Sequence, residues 1–451
     1  MERFRTIRDM IAYRAEKAPS NDALEYEQDG IVRYVSYSEL LYLVDRRAEK
    51  LKNSEGSTIG ILSDGSYACV LEILSALTAG KRIVMLDENL DDDNLKALIS
   101  YTDCDSLWSS DEELIEDLRD SLVTSIYGNG GDILFFTSGT IERSKAVVLT
   151  EESLLSSAYN GSYILPLTPD DVLLCMLPLG HVFGFVCGLL WGLSCGAAVA
   201  LGRGPRYYAA DCSFFKPTAV SLVPMLLGFL LKSGAFNPEL RIILIGAGDC
   251  SDELINAAKT LGKQVCFGYG LTETSSGVAL SVSEDPRAMA VCPDFRIMIA
   301  SDGEILIEGA PCMMKGYYKM PEATNAVLKD GVLTSGDLGY MDEDGKLHIT
   351  GRKKEMLVLS DGTKIFLPEY EKECRTALGE DDLCIFKKDE DICIAVCPNV
   401  EVSEKDVLEK LRDVIFRRPR GQQIRKVIIR NTPLPRTVSG KIKRWELEKE
   451  L

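Results

Sequence analysis

Along the first 300 residues, short runs of β-branched and apolar residues alternate with stretches whose apolar positions recur at helical spacing. STIGILS, SYACVLEILSALTAG and KRIVMLD read in turn as strand, helix and strand. PTAVSLVP, LRIILIGAG and KQVCFGYG read as further short buried strands separated by helical stretches. Strands that are apolar throughout and joined by helices belong to a parallel, doubly wound α/β sheet. Ligands in such sheets bind beyond the carboxyl ends of the strands, where Gly-rich turns let the backbone approach them.

From about residue 300 the pattern shifts to short strands and turns. GEILIEGA and EMLVLSDGTKIF read as strands, and VLTSGDLGYMDEDGKLHITG predicts a hairpin with Asp344 and Gly345 at its turn. Beyond residue 352 a small α+β unit is expected. DLCIFKKDEDICIAVCP is a hairpin with Asp389, Glu390 and Asp391 at its turn, SEKDVLEKLRDVIFRR a helix with Ser403 as N-cap, and RKVIIRN a strand. A domain boundary is placed near Gly351-Arg352, giving domains of residues 1–351 and 352–451.

A length of 451 residues agrees with two or three domains, and 46% hydrophobic with 27% charged residues is the composition of a soluble globular chain. The net charge of −18 would repel a phosphate backbone, so nucleic acid is not an expected partner. The charged N-terminal stretch has neither the apolar run nor the small-residue cleavage site of a secretory signal, so the cytoplasm is expected. The 14 cysteines include no CxxC pair and read as reduced structural residues, with no metal site. Residues 182–201, VFGFVCGLLWGLSCGAAVAL, are long enough to span a bilayer without a charge. Interrupted by four glycines, they read instead as buried helix and strand.

Six stretches carry candidate chemistry. After the strand Asp132-Ile133-Leu134-Phe135-Phe136, the hydroxyls and amides of Thr137, Ser138, Gly139 and Thr140 could ring an anion, with Lys145 adding a point charge. A Walker A loop is excluded because Ser144 and Ala146 flank that lysine; by itself the stretch is a phosphate loop or a surface turn. In GYGLTETSSG, Gly268 and Gly270 free the backbone around Tyr269, whose ring could stack on a base. Thr272 offers a hydroxyl there, and Glu273 a carboxylate for a hard cation such as Mg²⁺; the other reading is a capped helix start. Gly246-Ala247-Gly248 gives bare backbone for a flat ligand. In TSGD and GRKKE, Asp337 could accept both hydroxyls of a ribose and Arg352 reach a ribose or phosphate, though each is also an ordinary turn. In PLPRTVSGKIKR, Gly440 makes Lys441 the tip of a turn.

In this order, TSGT with a lysine, YGxTE, TSGD, GRxK-acid and PRTxSGK resemble the motifs of the acyl-adenylate-forming enzymes. That superfamily includes acyl-CoA synthetases, peptide-synthetase adenylation domains and firefly luciferase. The resemblance runs from about residue 30 to 445, and the compact length is similar to that of bacterial enzymes such as o-succinylbenzoate-CoA ligases. It implies a large N-terminal domain of doubly wound sheets plus a small β-barrel-like region, and a small mobile α+β C-terminal domain. The implied activity is that of an acid:CoA ligase. A fatty or aromatic carboxylate would attack the α-phosphate of ATP, giving an acyl-adenylate and pyrophosphate, and a thiol would then take the acyl group.

By the same resemblance, Thr137, Ser138, Gly139, Thr140 and Lys145 would hold the β- and γ-phosphates. Gly246, Ala247, Gly248 and Tyr269 would bracket adenine. Thr272 would contact the α-phosphate region, Glu273 the Mg²⁺, and Asp337 the ribose with help from Arg352. Lys441 would bridge the carboxylate and the α-phosphate from the mobile domain, which turns about a hinge at Glu355, where the family usually has Asp. His181 and Phe183 of LPLGHVFGF, with Gly270, are expected at the acyl pocket. With no acidic partner for an ammonium evident, an α-amino acid is not expected. Arg417, Arg418, Arg420, Arg425 and Lys426 would suit the phosphates of coenzyme A or an acidic acyl carrier protein. In the phosphate loop, Ile141, Glu142, Ser144 and Ala146 depart from the family's TSGTTGxPKG, and Glu142 adds a negative charge near the triphosphate. The competing reading is a catalytically impaired nucleotide- or acyl-binding member of the fold; an adenylating enzyme that loads the phosphopantetheine of a carrier protein is the other alternative.

Overall fold

A computed structural model of the chain describes residues 2–447 apart from 55, 88, 124–130, 138–144, 235, 249, 360–363, 389–390, 401, 437–441 and 445. The expected strand-helix-strand unit is present: Thr58–Leu62 is buried at every position, Tyr67–Thr78 is a helix capped by Ser66, and Arg82–Leu86 lies parallel to the first strand. These strands belong to a six-stranded sheet ordered Gly316–Tyr317, Ala146–Thr150, Asp132–Phe136, Arg82–Leu86, Thr58–Leu62 and Ser106–Trp108. The pairing of Asp132–Phe136 with Ala146–Thr150 is antiparallel, in register from Asp132↔Thr150 to Phe136↔Ala146.

The second sheet has fourteen strands among the described residues. Its parallel part contains Ala198–Leu201, Val172–Cys175, Ala219–Leu222, Ile242–Ile245 and Gln264–Leu271, as the continuous apolar runs predict. The expected barrel-like region is an antiparallel continuation of this sheet that starts from the far half of Gln264–Leu271. It runs through Ser276–Leu280, Met289–Val291, Lys346–Arg352, Val332–Met341, Glu304–Glu308 and Arg296–Ile299. Gln264–Leu271 therefore carries a parallel neighbour along one half and an antiparallel one along the other. The change of pairing coincides with its two last glycines and Tyr269.

The hairpin over Val332–Met341 and Lys346–Arg352 forms as expected, with Gly345 in the left-handed region at φ +70°. Residues 182–201 are a buried helical run and the strand Ala198–Leu201. No helix among the described residues is long and apolar enough to cross a membrane.

Beyond residue 352, the strands Leu383–Lys388, Asp391–Val396 and Ile424–Ile429 form a separate sheet. Ile365, Tyr370, Ile385, Ile394, Leu411 and Val427 pack in a hydrophobic cluster of their own. Ser403 caps its helix through a reciprocal box with Asp406. Asp391 pairs with Lys388 as the first residue of the second strand instead of sitting in the turn, because its carboxylate meets Lys426 on the neighbouring parallel strand at 2.8 Å. Residues 389 and 390 lie outside the described residues.

Candidate active site

The strand Asp132–Phe136 delivers Thr137 to the edge of the site, and the strand that returns begins just after Lys145. Backbone and side chain pin these two feet together: the Thr137 amide donates to the Lys145 carbonyl at 3.0 Å, and the Lys145 amide to Thr137 Oγ1 at 3.1 Å. Ser138, Gly139, Thr140, Ile141, Glu142 and Ser144 lie outside the described residues. The Lys145 ammonium stands 4.2 Å from the centroid of the Tyr317 ring, a cation–π contact.

Tyr317 also reaches the second motif. Its hydroxyl donates to Glu273 Oε1 at 2.7 Å. Burial, and then the facing carboxylate, push the phenol's pKa up, which keeps the proton on the donor. Glu273 and Thr272 sit in the single 3₁₀ turn Thr272–Thr274 that ends Gln264–Leu271, not in a longer helix. Gly270 is required there. A Cβ at this position would lie 1.5 Å from the Ser276 carbonyl oxygen, because the chain folds tightly back on itself through Ser275 and Ser276, both at positive φ.

Tyr269 connects the same strand to the third motif. Its hydroxyl donates to Asp337 Oδ2 at 2.9 Å, and the Arg352 guanidinium pairs with Oδ1 at 3.0 Å. The register Asp337↔Arg352 between adjacent strands places these two side chains together. Asp337 is 3% exposed, and its amide donates to Ser335 Oγ, which fixes the turn of TSGD. Burial, then the Asp337 charge, raise the Tyr269 pKa, so this phenol too remains a donor. Glu304 braces the arrangement. It accepts from the Gly336 amide at 3.0 Å and pairs with Lys353 at 2.7 Å, tying the TSGD turn to the residue that follows Arg352.

Gly246-Ala247-Gly248 follows the strand Ile242–Ile245, with Ala247 held at φ +62°. The Phe183 ring lies against Gly246: a Cβ there would be 2.7–3.0 Å from three ring atoms. The residues expected at the adenine face and at the acyl pocket are thus in contact with one another. His181 is exposed at the head of the short helix Val182–Gly184, and its ring makes no hydrogen bond among the described residues. Glu355 is half-buried in a 3₁₀ turn, Lys353–Glu355. Lys441 lies outside the described residues, although the segments on either side of it pair as Arg436↔Ile442.

The basic cluster is less free than its sequence suggests. Arg418 makes two 2.9 Å bonds to Glu373 and stacks on Tyr370, while Lys426 and Arg425 pair with Asp391; Arg417 and Arg420 are exposed. Among the described residues no group of three or more His, Cys, Asp or Glu is placed to hold a metal ion. Glu273 alone could serve a Mg²⁺ whose other ligands are phosphate and water. The residue not anticipated from the sequence is Tyr317. The one local signal is the glycine before it, Gly316, at φ +147°.

The model for the AMP-binding enzyme family matches residues 132–318. The chain is 30% identical over 327 residues to the 2-succinylbenzoate-CoA ligase of Listeria monocytogenes, across 70% of this chain and 69% of that protein. It is 30% identical over 384 residues to the oxalate-CoA ligase of Arabidopsis thaliana, across 77% and 71% respectively. Among solved structures, the o-succinylbenzoate coenzyme A synthetase of Bacillus subtilis in complex with ATP and magnesium ion shares the fold. Its TM-score is 0.81 at 23% identity, over 97% of this chain and 99% of that one.

Proposed function

Since the chain belongs to the family of AMP-binding enzymes, we propose that it is an ATP-dependent carboxylic acid:CoA ligase. It joins an acid to AMP with release of pyrophosphate and then passes the acyl group to the thiol of coenzyme A. The observation that carries this reading is the convergence on Gln264–Leu271 and the turn that ends it. Tyr269 and Arg352 both meet Asp337 there, and Tyr317 holds both Glu273 and Lys145. Motifs far apart in sequence thereby meet in two clusters, which this reading assigns to the ribose and to the phosphates.

In this reading Asp337 and Arg352 receive the ribose, and Gly246, Ala247, Gly248 and Tyr269 flank adenine. Thr137 to Thr140 and Lys145 hold the β- and γ-phosphates, with Thr272 near the α-phosphate. Glu273 would hold the Mg²⁺ of MgATP, which neutralises phosphate charge when bound. Lys441 neutralises the charge that develops at the α-phosphorus and holds the acid in line with it. It is carried by the domain that begins near Arg352 and turns about Glu355.

The acid is an aromatic carboxylate in preference to a fatty one. The support is the Phe183 ring laid on Gly246, which offers a flat wall, and the likeness to a ligase named for 2-succinylbenzoate. His181 stands at the pocket's carboxylate end. Coenzyme A is the acceptor, since the relatives are named for it and nothing comparable supports a carrier protein; the exposed Arg417 and Arg420 suit its phosphates. Exchange of labelled pyrophosphate into ATP, run over a panel of aromatic, dicarboxylic and fatty acids, tests the reading. Acid-dependent exchange is expected, strongest with an aromatic member, and no exchange with any acid would refute it.

A further inference from the structure

Residues 314–318 form a strap that crosses between the two charged groups at the phosphate end. The Met314 amide donates to the Glu273 carbonyl at 2.9 Å. Those of Lys315 and Tyr318 donate to Val148 and Ala146 at 2.9 and 2.8 Å, on the strand that follows Lys145. Gly316 lets the strap turn: its φ is +147°, and a Cβ would sit 3.0 Å from Thr324, whose hydroxyl accepts the Tyr317 amide at 2.9 Å. Lys315 adds a 2.6 Å ion pair to Asp132, at the start of the strand that leads to Thr137. The backbone of Tyr317 is therefore anchored to the Glu273 turn, to the Lys145 strand and to Thr324.

The side chain then serves two partners by two different physical means. Its hydroxyl donates to one oxygen of Glu273, leaving the other for a cation, and its ring face receives the Lys145 ammonium 4.2 Å from the centroid. Glu273 and Lys145 carry opposite charges, yet no ion pair joins them; each is bound to a separate part of Tyr317.

Resting on the function proposed above, we infer that Tyr317 is a positioning residue for MgATP. It holds Glu273 and Lys145 apart in the orientations in which one meets the metal and the other the phosphates, and it prevents them from neutralising each other. Pre-orientation of this kind lowers the cost of ordering both side chains when the nucleotide binds.

Calorimetric titration of the full chain with ATP over a series of Mg²⁺ concentrations separates the two contacts without requiring turnover. Tyr317→Phe keeps the ring and removes the donor. Its half-maximal Mg²⁺ requirement should rise roughly tenfold, as expected for losing a bond to a charged acceptor, while ATP affinity at saturating Mg²⁺ stays within about threefold of wild type. Tyr317→Leu removes both contacts and lets Glu273 and Lys145 pair, so its ATP affinity should fall roughly tenfold even at saturating Mg²⁺. A merely structural role would lower melting temperature without moving the Mg²⁺ requirement of Tyr317→Phe. An unchanged Mg²⁺ requirement in Tyr317→Phe would overturn the inference while leaving the functional reading intact. Failure of the wild type to bind ATP with Mg²⁺ would overturn both.

Discussion

The Tyr269 hydroxyl donates to Asp337 Oδ2 at 2.9 Å across 68 residues of sequence. The carboxylate it reaches is buried, with Arg352 on its other oxygen. A buried carboxylate is tolerated only where its lone pairs are met, so the Tyr269 hydroxyl helps to hold the Asp337 carboxylate in the interior. Tyr269→Phe removes one donor from this carboxylate. It should cost about 1–3 kcal/mol, read as a lower melting temperature and as ATP affinity reduced roughly tenfold.

Gly270 gives a sharper stability test. A methyl there would overlap the Ser276 carbonyl, whereas one at Gly277 would meet nothing within 4 Å. Gly270→Ala should lose more than about 3 kcal/mol, or fail to accumulate as folded protein, because the clash is with backbone that cannot swing aside. Gly277→Ala should remain within about 1 kcal/mol of wild type in the same chemical denaturation series.

Gly246 and Phe183 should be coupled in selectivity. Gly246→Ala pushes a methyl into the Phe183 ring and should shift the preferred acid toward smaller members of the panel. Phe183→Leu added to it should restore much of the lost activity. Additive losses in the double-mutant cycle would show that the two do not share a pocket wall.

Among the described residues, Glu25 predicts the pH dependence of stability most plainly. Burial, then the neighbouring Asp22 charge, raise its pKa from 4.5 to about 7. Below pH 4.5 both states hold the proton. As pH rises toward 7 the unfolded chain releases it first, so folding becomes less favourable, and above 7 the penalty is complete. It amounts to on the order of 3 kcal/mol at most. Glu25→Gln should therefore be more stable than wild type at pH 8 and close to it at pH 4.5, measured by urea unfolding at both pH values.

Much of this was legible in the chain. The parallel strands declare themselves because strands covered on both faces are apolar throughout, as Thr58–Leu62 and Ile242–Ile245 are. The turn at Gly345 and the cap at Ser403 are local, so local residue types are enough to place them. The N-terminal hairpin of Asp22–Gln28 and Ile31–Ser36 was not anticipated. Yet its Asp29-Gly30 turn, with both residues at positive φ, carries a sequence signal of the same kind.

Tyr317 is a different matter, since its meaning comes from two partners that chain topology alone brings to it. The basic cluster was misleading for the converse reason. Sequence shows Arg418 and Lys426 but not Glu373 and Asp391, which the fold sets against them.

The central claim, an acyl-adenylate formed by attack of a carboxylate on the α-phosphorus, is tested most directly by following the carboxylate's own oxygen. An acid labelled with heavy oxygen in its carboxylate is incubated with MgATP, coenzyme A and the protein, and the nucleotide products are weighed by mass spectrometry. One labelled oxygen should appear in AMP, because thiol attack on the acyl carbon expels AMP with the oxygen that had bridged carbon and phosphorus. Lys441→Ala should abolish this transfer while leaving ATP binding nearly intact. Formation of ADP with the label in inorganic phosphate, or of acyl thioester with no label in AMP, would contradict the account.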